Sequence, residues 1–226
     1  MRPAAAGVVL GLAVAIGTPV TWQLTREPEA AGAPVEQALP EASPAPPSPG
    51  SPTPQASASP GWLPEVAVRD AAPTATPERP EPTWLTVTSL GIDAPLDPVG
   101  VAADGQMLLP EDVSRVGWYR FGPAPGEEGS AVLAGHVDDR DQGLGALAAL
   151  REVEPGSQVV VTDEAGTQTR WRVVSRELIH KQVLPLDRIF SEEGAPRLVL
   201  VTCGGPFLAE YGSYRDNVVV VAQPLP

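Results

Sequence analysis

The sequence predicts an all-β domain, either a sandwich or a barrel, in the C-terminal part of a chain of 226 residues. From Trp84 onward, short runs rich in Val, Thr and Leu recur. Turns containing Gly, Pro and Asp separate these runs, and only one segment has a clear helical periodicity. Residues 84–226 are close in number to the commonest domain size, so we expect them to share a single core.

The first segment, residues 1–25, is predicted to be a membrane anchor. After Arg2, the stretch "PAAAGVVLGLAVAIGTPVTWQL" carries no charge and is about long enough, as a helix, to cross a bilayer. Arg2 before it and Glu27 and Glu29 after it weakly favour a cytoplasmic N-terminus. A cleaved signal peptide is the alternative, but no convincing A-x-A cleavage site follows the stretch. We therefore expect a single-pass protein of the cell membrane with an extracytoplasmic domain.

The second segment, residues 26–83, is predicted to be a disordered extracytoplasmic linker. It is rich in Pro, Ala, Ser and Glu, a composition that buries too little apolar surface to offset the entropy lost on ordering. Proline also favours an extended, polyproline-like chain. A ligand for an SH3-type domain is the alternative for such a segment, although a position outside the cell does not favour it.

The predicted strands of the folded domain are "WLTVTSL", "SAVLAG", "QVVVTD", "TQTRWRVVSREL", "RLVLVTC" and "NVVVVA". The segment "GLGALAALREV" is predicted to be a helix, and "PEDVSRV" and "PLDRIF" are candidates for shorter helical turns. No internal repeat is present.

Charge and cysteine content exclude several classes of function. The formal net charge is -13 and no basic cluster interrupts the acidity, so we expect no nucleic-acid partner. Cys203 is the only cysteine, which excludes an internal disulfide and a cysteine-based zinc module.

The surroundings of Cys203 suggest a reactive site. "RLVLVTC" and "NVVVVA" are continuous apolar runs, as expected for strands covered on both faces. If they are antiparallel neighbours, Cys203 and Arg215 lie at the same edge of the sheet. Gly204 and Gly205 are expected to end the first strand and to let a foreign backbone approach closely.

A cysteine nucleophile needs a partner that exchanges protons, and the chain offers only His136 and His180. His136 ends the apolar run "SAVLAGH" and is followed by the polar loop "VDDRDQG". Strand ends of this kind hold side chains rigidly while leaving them reachable from solvent. His180 lacks such an exit and has Lys181 beside it, so His136 is the preferred partner.

Three motifs, "SAVLAGHVD", "LVLVTCGG" and "YRDNVVVVA", occur in this order and resemble the His, Thr-Cys and Arg motifs of the sortases. The glycine pair and "YRDNVVV" look most like the class F branch found in actinobacteria. The resemblance covers residues 84–226. It implies a closed β-barrel of about eight strands with one or two short helices, and a groove for an LPxTG-like peptide.

The resemblance also implies a role for each residue. Cys203 would attack the Thr carbonyl of the sorting signal, and His136 would protonate the leaving amine and later deprotonate an acceptor amine such as a peptidoglycan precursor. Arg215 would donate hydrogen bonds to the substrate carbonyl or oxyanion. Thr202, Gly204 and Gly205 are expected to contact the peptide. We expect a monomer without cofactor.

Each of these residues also has a simpler interpretation. Cys203 alone could be a small buried residue, and Arg215 a strand-edge charge paired with Asp216. The only asparagine, Asn217, could orient the histidine as in papain-like enzymes. The alternatives at the level of function are a thiol peptidase that hydrolyses the acyl enzyme and a non-catalytic, surface-anchored peptide-binding barrel.

An acidic cluster follows His136. Asp138, Asp139 and Asp141 could bind calcium, but they precede the predicted helix, where carboxylates favour a helix N-terminus. Helix capping or solvation is therefore the preferred interpretation, and no metal is predicted to be required.

Overall fold

The computed structural model describes residues 30–39 and 80–226. The predicted anchor, residues 1–25, and most of the predicted linker lie outside these described residues. Among the described residues, no helix combines the length and the apolar character needed to span a membrane.

The described residues form eleven strands, two short α-helices and three 3-10 helices. The strands are β1 (Ala30–Gly32), β2 (Pro82–Val87), β3 (Ile92–Val99), β4 (Val116–Tyr119), β5 (Ser130–Ala134), β6 (Asp138–Asp139), β7 (Gly143–Leu144), β8 (Gln158–Asp163), β9 (Gln168–His180), β10 (Arg197–Leu208) and β11 (Ser213–Pro224). The helices are α1 (Val35–Ala38) and α2 (Leu186–Ile189), and the 3-10 helices are Thr88–Leu90, Ala148–Glu152 and Lys181–Val183.

Eight strands close into a barrel. Their order is β9, β11, β10, β5, β4, β3, β2 and β8, and β8 pairs again with β9. β10 lies between β11, with which it is antiparallel, and β5, with which it is parallel. The predicted all-β barrel of about eight strands with two short helices is confirmed.

β10 and β11 are covered on both faces. Leu198 and Leu200 face a core inside the barrel that includes the buried Trp118. Val199 and Val219, at alternating positions, face a second cluster outside the barrel. This double coverage explains the continuous apolar runs in these two strands, since a strand with one solvated face would alternate.

Two strands of the barrel, β3 and β4, were not predicted from the sequence. β3 contains Pro95 and Pro98, which usually exclude a residue from the interior of a sheet because proline cannot donate a backbone hydrogen bond. β4 has only four residues. Their pairing with each other is parallel, so no hairpin turn joins β3 to β4 in the sequence.

The predicted helix "GLGALAALREV" is wrong over most of its length. Gly143 and Leu144 belong to β7, and only Ala148–Glu152 is helical, as a 3-10 helix. The backbone N–H of Gly145 donates to the carbonyl of Val137 instead of entering a helix. Tertiary hydrogen bonds therefore override the helical propensity of this segment.

Residues 30–39 correct part of the predicted linker. β1 pairs antiparallel with β9, and the side chains of Val35, Ala38 and Leu39 are buried in the outer cluster. The Arg197 Nε donates to the Ala38 carbonyl at 2.8 Å. These three apolar residues, at helical spacing, pack on the outer face of β11 and β9 because that face is itself apolar. The linker prediction is therefore wrong for these residues.

Candidate active site

Strand β10 does not end at Cys203, contrary to the sequence-based expectation. It continues to Leu208, with an irregular register against β11 between Gly204 and Phe207. Gly205 has a φ of +71°, and a Cβ there would overlap the Asp216 carboxylate. Only glycine fits this position without strain, so Gly205 lies in a bulge that begins after Gly204, which still pairs with Asp216.

The strand registers place His136, Cys203 and Asn217 side by side. Cys203 pairs directly with Asn217 on β11. Ala134 pairs with Val201 on the parallel strand β5, so His136 and Cys203, each two residues further on, are level with each other. Alternate residues of a strand share a face, and this row therefore lies on the outer face of the barrel.

The imidazole of His136 is half-buried and held at one end. Its Nε2 lies 3.2 Å from the Pro110 carbonyl oxygen. A carbonyl oxygen only accepts hydrogen bonds, so Nε2 carries the proton in this contact and Nδ1 is the nitrogen left to exchange protons. Gly145 lies against the backbone of His136 with no room for a Cβ, which fixes the loop that carries the ring.

Thr202 joins the strand of the thiol to the strand of the histidine. Its buried Oγ1 donates to the Gly135 carbonyl at 2.8 Å. Because Thr202 precedes Cys203 and Gly135 precedes His136, this bond fixes the spacing of the two reactive residues. A contact between Thr202 and a peptide stays a prediction.

Lys181 is a site residue that the sequence analysis missed. Its Nζ lies 3.6 Å from the Cys203 Sγ and 2.8 Å from the Ser213 Oγ. It is the only lysine in the chain, but nothing local marks it as functional. Its relevance follows only from the pairing of β9 with β11, which brings the end of β9 within reach of Cys203.

Two open cavities meet at Cys203. The larger, of about 520 Å³, lies on the outer face, and its lining includes Met107, Tyr119, Leu184, Ile189, Phe190 and Cys203. The smaller, of about 90 Å³, is lined by residues that include Asp138, Arg151, Gly204, Gly205, Tyr214 and Cys203. The thiol therefore stands where a mainly apolar groove meets a smaller cavity that the charged residues Asp138 and Arg151 also line.

The carboxylates after His136 stabilise local turns. Asp139 Oδ1 accepts the backbone N–H groups of Asp141 and Gln142, which lower the pKa of Asp139. Asp138 accepts the Tyr214 hydroxyl at 2.6 Å, which raises the pKa of Tyr214. None of these bonds caps a helix, and the exposure of Asp138, Asp139 and Asp141 agrees with the predicted alternative of solvation. In the described part of the chain, no group of three or more His, Cys, Asp or Glu is arranged to hold a metal.

A sequence model of the family described as "Sortase domain" matches residues 85–225. The chain belongs to the sortase family. No curated relative matches the sequence.

Solved sortases align with this chain at low sequence identity. A lid mutant of sortase A from Corynebacterium diphtheriae aligns with a TM-score of 0.50 and 15% identity, covering 68% of this chain and 74% of that one. Sortase A from the same organism gives 0.48 and 16%, covering 66% and 62%. Sortase C-1 from Actinomyces oris gives 0.49 and 17%, covering 64% and 73%. This sortase thus spans 62% of the length of the C. diphtheriae sortase A that it matches.

In this sortase, Arg215 is bound to its neighbour Asp216. Neither Arg215 nor Cys203 lies at the end of its strand as expected, because β10 continues to Leu208 and Arg215 lies opposite the bulge that follows Gly204. The Nε and Nη2 of Arg215 each donate to the Asp216 carboxylate at 2.8 Å. The Asp216 side chain is only 4% exposed whereas that of Arg215 is 47% exposed. The hydrogen bonds from Arg215 lower the pKa of Asp216, and the pairing of Arg215 with Asp216 is therefore present.

Proposed function

We propose that this sortase is a cysteine transpeptidase that cleaves an LPxTG-like sorting signal after Thr and transfers the acyl group to an amine. One observation carries the proposal: Cys203 stands at the end of an apolar groove of about 520 Å³, on the strand next to that of His136. An extended LPxTG-like peptide carries apolar Leu and Pro residues before its scissile Thr–Gly bond. These residues match a groove lined by Leu184, Ile189 and Phe190.

The first half of the reaction forms a thioester. The Cys203 thiolate attacks the Thr carbonyl carbon, and the carbonyl electron pair moves to oxygen. Collapse of this intermediate restores the carbonyl and breaks the C–N bond to Gly. His136 supplies the proton that the leaving amine needs, from Nδ1, since Nε2 donates to Pro110.

The second half regenerates the enzyme. An acceptor amine attacks the thioester carbonyl, His136 removes its extra proton, and the Cys203 thiolate leaves. A peptidoglycan precursor is the proposed acceptor, because the predicted anchor and linker place the domain outside the cell membrane. Secreted proteins with sorting signals are the proposed donors, and the class F branch is the proposed subtype, from the glycine pair after Cys203.

Arg215 is proposed to donate to the substrate carbonyl or oxyanion. Two of its nitrogens donate to Asp216, so this role requires the guanidinium to turn toward the groove when a peptide binds. Asn217 pairs directly with Cys203 and lines the same groove, and its amide nitrogen is a second candidate donor.

The proposal is tested by mass spectrometry of the full-length chain with an LPxTG-type peptide. Without amine, we expect an adduct on Cys203 whose mass equals the peptide fragment through Thr, and which hydroxylamine removes. With a glycine-based or stem-peptide amine, we expect the transfer product.

Two variants provide the controls for this experiment. Cys203→Ala should form neither adduct nor product, and Cys203→Ser should be folded but inactive, because a hydroxyl is scarcely ionised at neutral pH. Cleavage by Cys203→Ala would refute the mechanism. Cleavage whose product never contains the amine would assign the chain to hydrolysis instead of transfer.

A further inference from the structure

Lys181 contacts the atom on which the proposed reaction depends. The 3.6 Å between its Nζ and the Cys203 Sγ is within hydrogen-bond range for sulfur, and the ammonium is the donor. A second hydrogen bond, of 2.8 Å to Ser213 Oγ, holds the ammonium in place. The Lys181 side chain is half-buried and lines the same groove as Cys203.

The barrel topology brings Lys181 to this position. The last residue pair between β9 and β11 joins His180 to Asp216, so Lys181 is the first residue beyond β9. A 3-10 turn begins there, and His180 Nδ1 accepts the Gln182 N–H at its start. β11 alone separates the end of β9 from Cys203 on β10, a distance that the long lysine side chain spans.

The other charged groups around the thiol contact partners other than the sulfur. Arg215 donates to Asp216. On the opposite side, Tyr214 donates to Asp138, and both line the small cavity with Arg151. In the described part of the chain, Lys181 forms no salt bridge with a carboxylate. The Lys181 charge also acts on the Asp216 carboxylate, but the hydrogen bonds of that carboxylate come from Arg215 and the contact of the ammonium is with the sulfur.

We propose that Lys181 is a catalytic residue of the transpeptidase proposed above, whose ammonium stabilises the Cys203 thiolate before attack. An adjacent cation favours thiolate over thiol, and the thiolate is the nucleophile. The proton leaves Cys203 for His136, Lys181 keeps its own protons, and the sulfur electron pair then forms the bond to the Thr carbonyl carbon. As the negative charge moves from sulfur to the carbonyl oxygen, the same ammonium faces it from the groove wall.

Alkylation of the free enzyme tests this role without any peptide. Cys203 is the only cysteine, so every iodoacetamide adduct on the full-length chain reports on it. At pH 7, Lys181→Met should lower the alkylation rate on the order of tenfold, because the variant lacks the adjacent cation that favours the reactive thiolate. Lys181→Arg should keep most of the rate.

A matched control removes the same charge elsewhere. Arg172 is exposed at the far end of β9, and Arg172→Met should alkylate at the wild-type rate. An equal loss in Arg172→Met and Lys181→Met would overturn the proposal, since it would show only an effect of net charge. A wild-type rate in folded Lys181→Met would overturn it directly.

Chemical modification provides a test that needs no refolded variant. The amines of the chain are those of Lys181 and the N-terminus. Acetylation removes their charge and reductive methylation keeps it, with Cys203 protected meanwhile as a mixed disulfide that is later reduced. Acetylated wild type should be alkylated slowly, and methylated wild type at the normal rate. Acetylation of Lys181→Met should not lower its alkylation rate below that of the unmodified variant. Equal rates for the two modified wild-type proteins would overturn the proposal.

Peptide cleavage separates this inference from the proposed function. Loss of cleavage in Cys203→Ala with normal alkylation of Lys181→Met would leave the transpeptidase standing and refute the role of Lys181. Cleavage by Cys203→Ala would instead refute the transpeptidase.

Discussion

Gly205→Ala should destabilise the barrel because two costs arise at one position. The φ of +71° is unfavourable for alanine, at roughly 1–2 kcal/mol. The new Cβ would also overlap the Asp216 carboxylate and displace it from its hydrogen bonds with Arg215. A hydrogen bond to a charged group contributes about 1.5–3 kcal/mol, and the exposure of Arg215 favours the lower end. We expect a total loss of about 3 kcal/mol.

Gly212→Ala is the matched control for this loss. Gly212 also has a positive φ, of +58°, but a Cβ there meets nothing within 4 Å. It should therefore cost only the conformational part, roughly 1–2 kcal/mol. The free energy of unfolding is measured with urea, following the fluorescence of Trp118 and Trp171, which are both buried.

A double mutant isolates the contribution of the carboxylate. In the Asp216→Ala background the overlapping carboxylate is gone and only the Cβ of residue 216, at 3.2 Å, remains of the atoms nearest to the new Cβ, so Gly205→Ala should cost close to the conformational part of roughly 1–2 kcal/mol. If Gly205→Ala costs no more than Gly212→Ala in the wild-type background, the carboxylate does not constrain Gly205 and the argument from overlap is wrong.

Three further results are expected. His136→Ala should abolish peptide transfer while His180→Ala keeps most of it, because His136 is level with the thiol and His180 caps a turn; equal losses in folded variants would contradict the assignment. The hydrogen bonds from Arg215 lower the pKa of Asp216 below the ordinary value of about 3.8, so the contribution of this pair to stability is complete above about pH 4 and is lost as pH falls through the lowered pKa. The stability advantage of wild type over Asp216→Asn in urea unfolding should therefore shrink from about pH 6 to about pH 2.5, and an advantage that stays constant would contradict this role of the carboxylate. Val35 is fully buried, so Val35→Ala should lower the free energy of unfolding by about 1–3 kcal/mol in the same assay. Its exposed neighbour provides the control, since Glu36→Ala should change the free energy of unfolding by no more than about 0.5 kcal/mol. Equal small effects of the two substitutions would mean that residues 30–39 do not contribute to folding.

The sequence by itself determined the strands whose side chains record their burial. Continuous Val and Leu runs predicted β10 and β11, which pair antiparallel. The sequence also predicted His136 as the partner of the thiol, because an apolar strand that ends in a polar loop is visible in neighbouring residues alone. These features depend on residues close together in the chain, so composition and spacing are enough to reveal them.

Only the tertiary structure decided which side chains touch. Lys181 reaches Cys203 because β9 lies next to β11, and the Asp216 carboxylate lies against Gly205 because β10 bulges there opposite β11. Val35 is buried because a distant apolar face receives it. A contact between segments far apart in sequence depends on pairing and register, and the local preferences of the individual residues do not encode either.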